Sequence, residues 1–298
     1  MGSMRNILFY KYVEIADPLT LKSEVRSLLE RLDMRGTILL ATEGVNGCVT
    51  GSDDAIAEFK RVFTSDACFA DIEFKEGVVS EHGFWKIKVK VKPEIVTSKT
   101  TVNLQNRAPY IEPLALKELL ESGEEVILLD ARNNYESAIG RFANAITPNI
   151  RVFRDFTAVA DSLAHLKDKR VVTYCTGGIR CEKASAVLKE RGFTNVQQLH
   201  GGIIKYGENA GNAHWEGSCF VFDTRQAIPI ALEGRSVISH CVHCNALCSE
   251  YHNCAVLSCD ERFIACASCY VAHKECCSSA CKVSQERKRE VASMRETA

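Results

Sequence analysis

Apolar residues recur along the first hundred positions at two alternating periods. Asn6 to Val13 (NILFYKYV) is rich in β-branched and aromatic side chains and predicts a strand; Leu21, Val25, Leu28, Leu29 and Leu32 then recur at helical spacing. Thr37 to Ala41 (TILLA) predicts a second strand, Glu43 to Gly47 (EGVNG) carries turn chemistry, and Cys48 to Thr50 resumes an extended run. Ser52 opens a second helix, with Asp53 and Asp54 in its first turn and Ile56, Phe59, Val62 and Phe63 on one side, and Phe84 to Val91 predicts the last strand. The order β-α-β-β-α-β over residues 1–100 predicts an α+β, ferredoxin-like sandwich.

Residues 101–113 are polar, contain two prolines and read as a linker. Beyond them Val126 to Asp130 (VILLD) and Arg170 to Tyr174 (RVVTY) are short continuous apolar runs, the pattern of strands buried on both faces of a parallel sheet. Helical patterns at Leu114 to Leu120, Phe153 to Leu166 and Glu182 to Arg191, the last stopped by Gly192, make residues 114–209 an α/β unit. Residues 210–298 open with a weakly patterned stretch holding the apolar run Ser218 to Phe222. A cysteine cluster follows, and a polar tail from Lys282 is expected to be a frayed helix.

Composition sharpens this division. The 298 residues are 46% hydrophobic and 25% charged, as expected of a globular protein of two or three domains, and 37 Lys and Arg nearly cancel 38 Asp and Glu. Binding to a polyanion therefore needs a local patch. No apolar run approaches the roughly 18 residues of a membrane helix and no secretory pattern opens the chain, so the expected compartment is the cytoplasm, with no membrane partner. Ten of the fifteen cysteines lie between Cys241 and Cys281, too crowded at one end of a long chain for a secreted disulfide framework. Metal binding and thiol chemistry lead.

Tyr174 to Ala184 (YCTGGIRCEKA) joins a buried strand to a helix through Cys175, Thr176, Gly177, Gly178, Ile179 and Arg180. The glycines let successive backbone N–H groups turn inward at a helix N-terminus and form an anion nest. With Arg180 close by, that environment lowers the pKa of Cys175 and prepares a nucleophile or redox thiol; the plainer reading is an inert buried cysteine. Cys181 is either a resolving thiol for an oxidised Cys175 or a capping and packing residue.

These residues resemble the rhodanese domain. Asp130, Ala131 and Arg132 with Tyr135 and Glu136 match its Asp-Xaa-Arg element, Gly140 to Ile146 matches a following loop, and Leu199 to Ile203 (LHGGI) matches its closing Gly-Gly turn. Arg141 stands where many members carry histidine. The six residues from Cys175 to Arg180 fit the sulfurtransferase branch, since phosphatase relatives carry one more. Along the whole chain, Thr42 to Gly47 (TEGVNG), the CTGGIRC loop and the cysteine-rich end resemble the tRNA uridine(34) hydroxylase family. That resemblance implies an acylphosphatase-like first domain, conversion of the wobble uridine of tRNA to 5-hydroxyuridine with molecular oxygen, and an electron donor the sequence does not name. It also implies that Cys175, Arg180 and Cys181 are catalytic, with Asp130 and Arg132 in support. No flavin, NAD or haem motif is present.

Lys86, Lys88, Lys90 and Lys92 alternate with Ile87, Val89 and Val91, which puts all four lysines on one face of a strand behind Phe84 and Trp85. They form either a phosphate-tracking stripe for tRNA or a charged guard on a sheet edge. Arg132, Arg151 and Arg154 are further candidates near the mouth of the thiol loop. Cys241, Cys244, Cys266 and Cys269 form two Cys-Xaa2-Cys knuckles able to hold one structural zinc, and Cys254, Cys259, Cys277 and Cys281 can hold a second. Cys248, Cys276, His243 and His273 are spare candidates, and Cys48, Cys68 and Cys219 read as packing residues.

Three functions follow: a tRNA-modifying oxygenase, a sulfurtransferase carrying a persulfide on Cys175, or a non-enzymatic interaction module. The intact thiol loop disfavours the third. Two flanking domains, which a stand-alone sulfurtransferase does not need, favour the first.

Overall fold

The computed structural model describes residues 4–230, 236–259 and 261–286. The first domain contains β1 (Met4–Tyr12), α1 (Pro18–Arg31), β2 (Arg35–Ala41), β3 (Gly44–Ser52), α2 (Asp53–Phe63), β4 (Phe74–Val79) and β5 (Ile87–Val91), with sheet order β4-β1-β3-β2-β5. Four of these strands make the ferredoxin-like sheet, and both helices start where capping chemistry places them. The Asp17 carboxylate accepts the N–H groups of Leu19 and Thr20, and Ser52 Oγ accepts from Ala55. Ile7, Phe9, Ile38, Leu40, Val49 and Val89 cover the helix-facing side and close a core with Leu29, Ile56 and Phe59.

Two expectations change in this domain. The strand that completes the ferredoxin order is β4, and the lysine-bearing strand is an additional edge strand that pairs in parallel with β2. β4 (FKEGVV) escaped the pattern because its glycine and charges break the alternation. The turn after β2 is also shorter than EGVNG suggests: β3 already begins at Gly44 and pairs with β1 along its full length.

The second domain contains β6 (Tyr110–Ile111), α3 (Pro113–Glu121), β7 (Ile127–Asp130), α4 (Asn134–Ile139), β8 (Gly140–Phe142), α5 (Phe156–Ser162), β9 (Arg170–Tyr174), α6 (Ile179–Glu190), β10 (Asn195–Leu199) and α7 (Gly202–Ala210). Its parallel sheet runs β6-β10-β9-β7, with β9 central and fully buried after Arg170. The segment read as a linker contributes β6, because Pro109 and Glu112 confine it to two residues at the sheet edge. The Phe153 to Leu166 pattern is one α-helix flanked by short 3-10 turns.

The third segment contains β11 (Trp215–Gly217), which pairs with β8, then β12 (Cys219–Phe220) with β13 (Ala227–Ile228), the hairpin β14 (Tyr251–Asn253) and β15 (Arg262–Ile264), and α8 (Ala267–Ala272). Of the polar tail, residues up to 286 are helical and the rest lies outside the described residues. Among the described residues no helix is long and apolar enough to cross a membrane.

Candidate active site

Cys175 sits at the carboxyl end of β9, where the chain turns through Thr176, Gly177 and Gly178 into α6. Gly178 has φ +101°, a left-handed conformation that suits glycine, and Ile203 and Ile204 donate their N–H groups to the carbonyls of Cys175 and Thr176. This grip requires Gly202, where a Cβ would lie 2.4 Å from the Cys175 carbonyl oxygen.

The Cys175 sulfur is buried and accepts the Gly178 N–H at 3.1 Å. Burial opposes its ionisation, but hydrogen bonds from the Cys181 thiol and the backbone N–H groups of Arg180 and Gly178, with the Arg180 charge, bring its pKa down to about 6. Burial and the neighbouring thiolate push Cys181 well up, so the pair carries a single negative charge on Cys175. The Arg180 guanidinium is turned to the buried Glu136 carboxylate, at 2.5 and 2.7 Å, and Thr176 Oγ1 donates to the same carboxylate. The anion nest is therefore mainly backbone N–H groups above a neutralised Arg–Glu pair.

The first domain closes the site. Residues Leu8, Tyr10, Thr37, Leu39, Asn46 and Cys48, on the sheet face opposite its helices, line a largely apolar pocket of about 340 Å³ with Cys175, Ile179, Arg180, Phe84, Phe153 and Phe222. Strand register extends that face to the lysine edge. Leu8, Cys48, Thr37 and Lys88 form one cross-strand row, and Tyr10, Asn46, Leu39 and Lys90 form the next. Lys86, Lys88, Lys90 and Lys92 are all exposed, as is Trp85.

Buried charges on α6 hold the domains together. Lys183 Nζ contacts Glu43 at 3.0 Å, Glu94 at 2.7 Å and the Val96 carbonyl, while Glu182 accepts from Tyr10 and Tyr110. Glu43 of the TEGVNG motif thus clamps the two domains. The roles of Glu136, Lys183 and the outer face of β1 were not read from sequence, although apolar residues on both faces of NILFYKYV signalled a covered second face.

Three segments match domain families. Residues 4–95 match the UPF0176 acylphosphatase like domain, residues 112–209 the rhodanese-like domain and residues 216–282 the rhodanase C-terminal domain. A tRNA uridine(34) hydroxylase of Cytophaga hutchinsonii is 40% identical over 97% of this chain and 93% of its own. Proteins of the same name from Listeria monocytogenes and Chlamydia felis are 38% and 37% identical, over 95% and 92% of this chain and 90% and 86% of theirs. The chain belongs to the tRNA uridine(34) hydroxylase family.

In this member of the tRNA uridine(34) hydroxylase family the cysteine-rich end gathers two sets of four thiols, Cys241, Cys244, Cys266 and Cys269, and Cys254, Cys259, Cys277 and Cys281, each with its sulfurs within 4.8 Å of one another. The sulfurs of Cys244 and Cys266 stand 3.8 Å apart, those of Cys259 and Cys277 3.7 Å and those of Cys277 and Cys281 3.8 Å, close to the about 3.8 Å edge of a zinc–thiolate tetrahedron with 2.3 Å bonds. The donor sets fit a tetrahedral, thiophilic metal. Cys248, Cys276, His243 and His273 join neither set, and the two histidine rings stack at 3.7 Å.

The remaining candidates separate. Asp130 and Arg132 are wholly buried and paired at 2.6 Å, so Arg132 is a core residue and cannot touch RNA. Arg151 and Arg154 line a cleft beside the thiol pocket. Of the cysteines read as packing residues, Cys219 is buried, Cys48 faces the thiol pocket and Cys68 is exposed.

Proposed function

We propose that the protein hydroxylates C5 of the wobble uridine of tRNA in the pocket above Cys175. The carrying observation is a low-pKa thiol on the floor of a nucleobase-sized apolar pocket whose sheet face continues into a lysine edge. Uridine enters from single-stranded anticodon, its ring taken up by Leu8, Phe84 and Phe222, with Lys86, Lys88, Lys90 and Lys92 following the phosphates. The reaction places one oxygen atom of O2 on C5 and releases the other as water with two electrons and two protons. The Cys175 thiolate and the Cys181 thiol, oxidised together to a disulfide, release two electrons and one proton; the second proton comes from water, and a separate two-electron donor then restores the thiolate–thiol pair. Thr176, Gly177, Gly178 and Ile179 hold the charged sulfur in place, and Arg180 with Glu136 fixes the loop.

Zinc in the two four-cysteine sets would be closed and structural, supplying folding energy to a module with little apolar core. The compartment that fits this substrate is the cytoplasm.

A second reading, sulfurtransfer through a Cys175 persulfide, draws on the six-residue, amide-lined loop. One experiment separates the two: nucleoside mass spectrometry of tRNA from cells lacking the protein, complemented with wild type or Cys175→Ser. Hydroxylation predicts that 5-hydroxyuridine derivatives are lost and return only with wild type. Unchanged derivatives in a strain with no second pathway, with persulfide on Cys175, would establish the sulfurtransferase instead.

A further inference from the structure

Two cavities share a wall. The thiol pocket is bounded by Asn133 and Phe153, while the neighbours of Phe153, among them Arg151 and Arg154, line a second cleft of about 590 Å³ that Asn133 also lines. The far wall of this cleft is the β14–β15 hairpin, through Asn253, Glu261 and Arg262. The cleft is thus built mostly from the rhodanese-like domain and closed on one side by the cysteine-rich module.

Its cations are differently employed. Arg151 reaches across to Glu261 at 2.6 Å, an exposed ion pair joining the two walls. Arg262 lies over the rings of Tyr135 and Phe220, at 5.2 and 5.3 Å, and its Nε donates to Asn253, which holds the guanidinium in a set place. Arg154 is exposed and has no ion pair among the described residues. Three guanidiniums face two carboxylates, Asp155 and Glu261, which leaves one positive charge in excess. Planar guanidiniums with free donors at a cleft suit a phosphodiester. A strand that delivers a base into the thiol pocket must lay its adjoining backbone over the rim, and the rim here is Asn133 and the 151–155 segment.

We propose that this cleft is a second subsite for the same RNA strand, holding the nucleotide next to the target uridine through its phosphodiester, with Arg154 and Arg262 as the cationic contacts. The proposal rests on the reading that tRNA is the substrate. It gives the cysteine-rich module a task in recognition: Asn253 adjoins Cys254, and Glu261 and Arg262 lie between Cys259 and Cys266, so both thiol sets brace the wall that carries Arg262.

The test measures affinity of the full-length, metal-loaded protein for an anticodon stem-loop RNA with uridine at the wobble position, across a series of salt concentrations. Arg154→Gln is exposed and leaves folding intact; it is expected to weaken binding and flatten the slope of log K against log salt by roughly 0.7, the loss of one single-strand phosphate contact. Arg262→Gln is expected to do the same, and Glu261→Gln, which releases Arg151, to tighten binding at low salt. Alkylation of Cys175 should be unchanged in all three. Wild-type binding with an unaltered slope in Arg154→Gln would overturn the subsite while leaving tRNA as substrate. Failure of the wild type to bind the stem-loop would overturn both.

Discussion

Gly178 donates its backbone N–H to the sulfur of Cys175 at 3.1 Å, across a turn that only a residue at ease with φ +101° makes without strain. With the Cys181 thiol and the Arg180 N–H, it holds a charge that burial alone would drive off, and the thiolate is half-populated near pH 6. Site-resolved alkylation of Cys175 should be nearly flat above about pH 7 and fall roughly fivefold as pH drops from 6 to 5. Cys181→Ala removes a donor and should move the midpoint upward; an unmoved midpoint would show that Cys181 does not stabilise the thiolate.

Arg132 and Asp130 meet inside the core, where Arg132 also donates to the carbonyl oxygens of Glu136 and Gly140 and lies over Tyr174 and Trp215. Arg132→Met strands a buried carboxylate and should cost about 3–5 kcal/mol, read as a lower urea midpoint. Removing both charges with Asp130→Leu and Arg132→Met should cost less than the single change. A single variant as stable as wild type would remove the pair from the fold's support.

The sequence displayed what periodicity governs. α1, α2, β7 and β9 follow from apolar spacing and caps, and the thiol loop from its two glycines between strand and helix. β4 was hidden because Glu76 and Gly77 interrupt its alternation, and β6 because two residues carry no period at all. The metal-capable set Cys241, Cys244, Cys266 and Cys269 was legible because Cys-Xaa2-Cys spacing is local geometry. The pocket was not, because Leu8, Leu39 and Asn46 meet Cys175 only through the docking of two domains. Arg132 was misplaced at the site mouth for a related reason: its partner Asp130 is two residues away, but the burial of both is a tertiary fact.

Lys183 anchors that docking, and Glu94 is one of its two carboxylate partners. Burial pushes the Glu94 pKa up, but Lys183, Ser98 and the N–H groups of Ser98 and Lys99 bring it down to about 2 from an ordinary 4.5. Because the folded value is the lower one, this stabilisation is fully present above about pH 4.5 and is lost as pH falls towards 2. Limited proteolysis within residues 92–112 should accelerate over that window. Lys183→Met should accelerate it already at neutral pH, and equal rates in the two proteins would exclude the clamp.

The lysine edge can be tested apart from the thiol. Lys86, Lys88, Lys90 and Lys92 point away from the helix-facing core, so replacing all four with glutamine should leave the fold and Cys175 alkylation unchanged. If they follow phosphates, affinity for tRNA should fall and the salt slope should flatten by up to roughly 0.7 per lysine in contact. Unchanged affinity and slope would make the stripe a guard on the exposed edge of β5.

Metal removal should act on recognition before chemistry. Freshly purified protein should hold two equivalents of zinc, one for each set of four thiols; less than half an equivalent would count against both sites. Chelation should release the β14–β15 hairpin, whose ends lie beside Cys254 and Cys266, and with it Arg262. Cys175 belongs to a different core, so its alkylation rate should persist while stem-loop affinity drops. If chelation abolished both together, the module would be supporting the rhodanese-like core directly, through Tyr251 against Tyr135 and Phe220, and the separation of binding wall from thiol site would be lost.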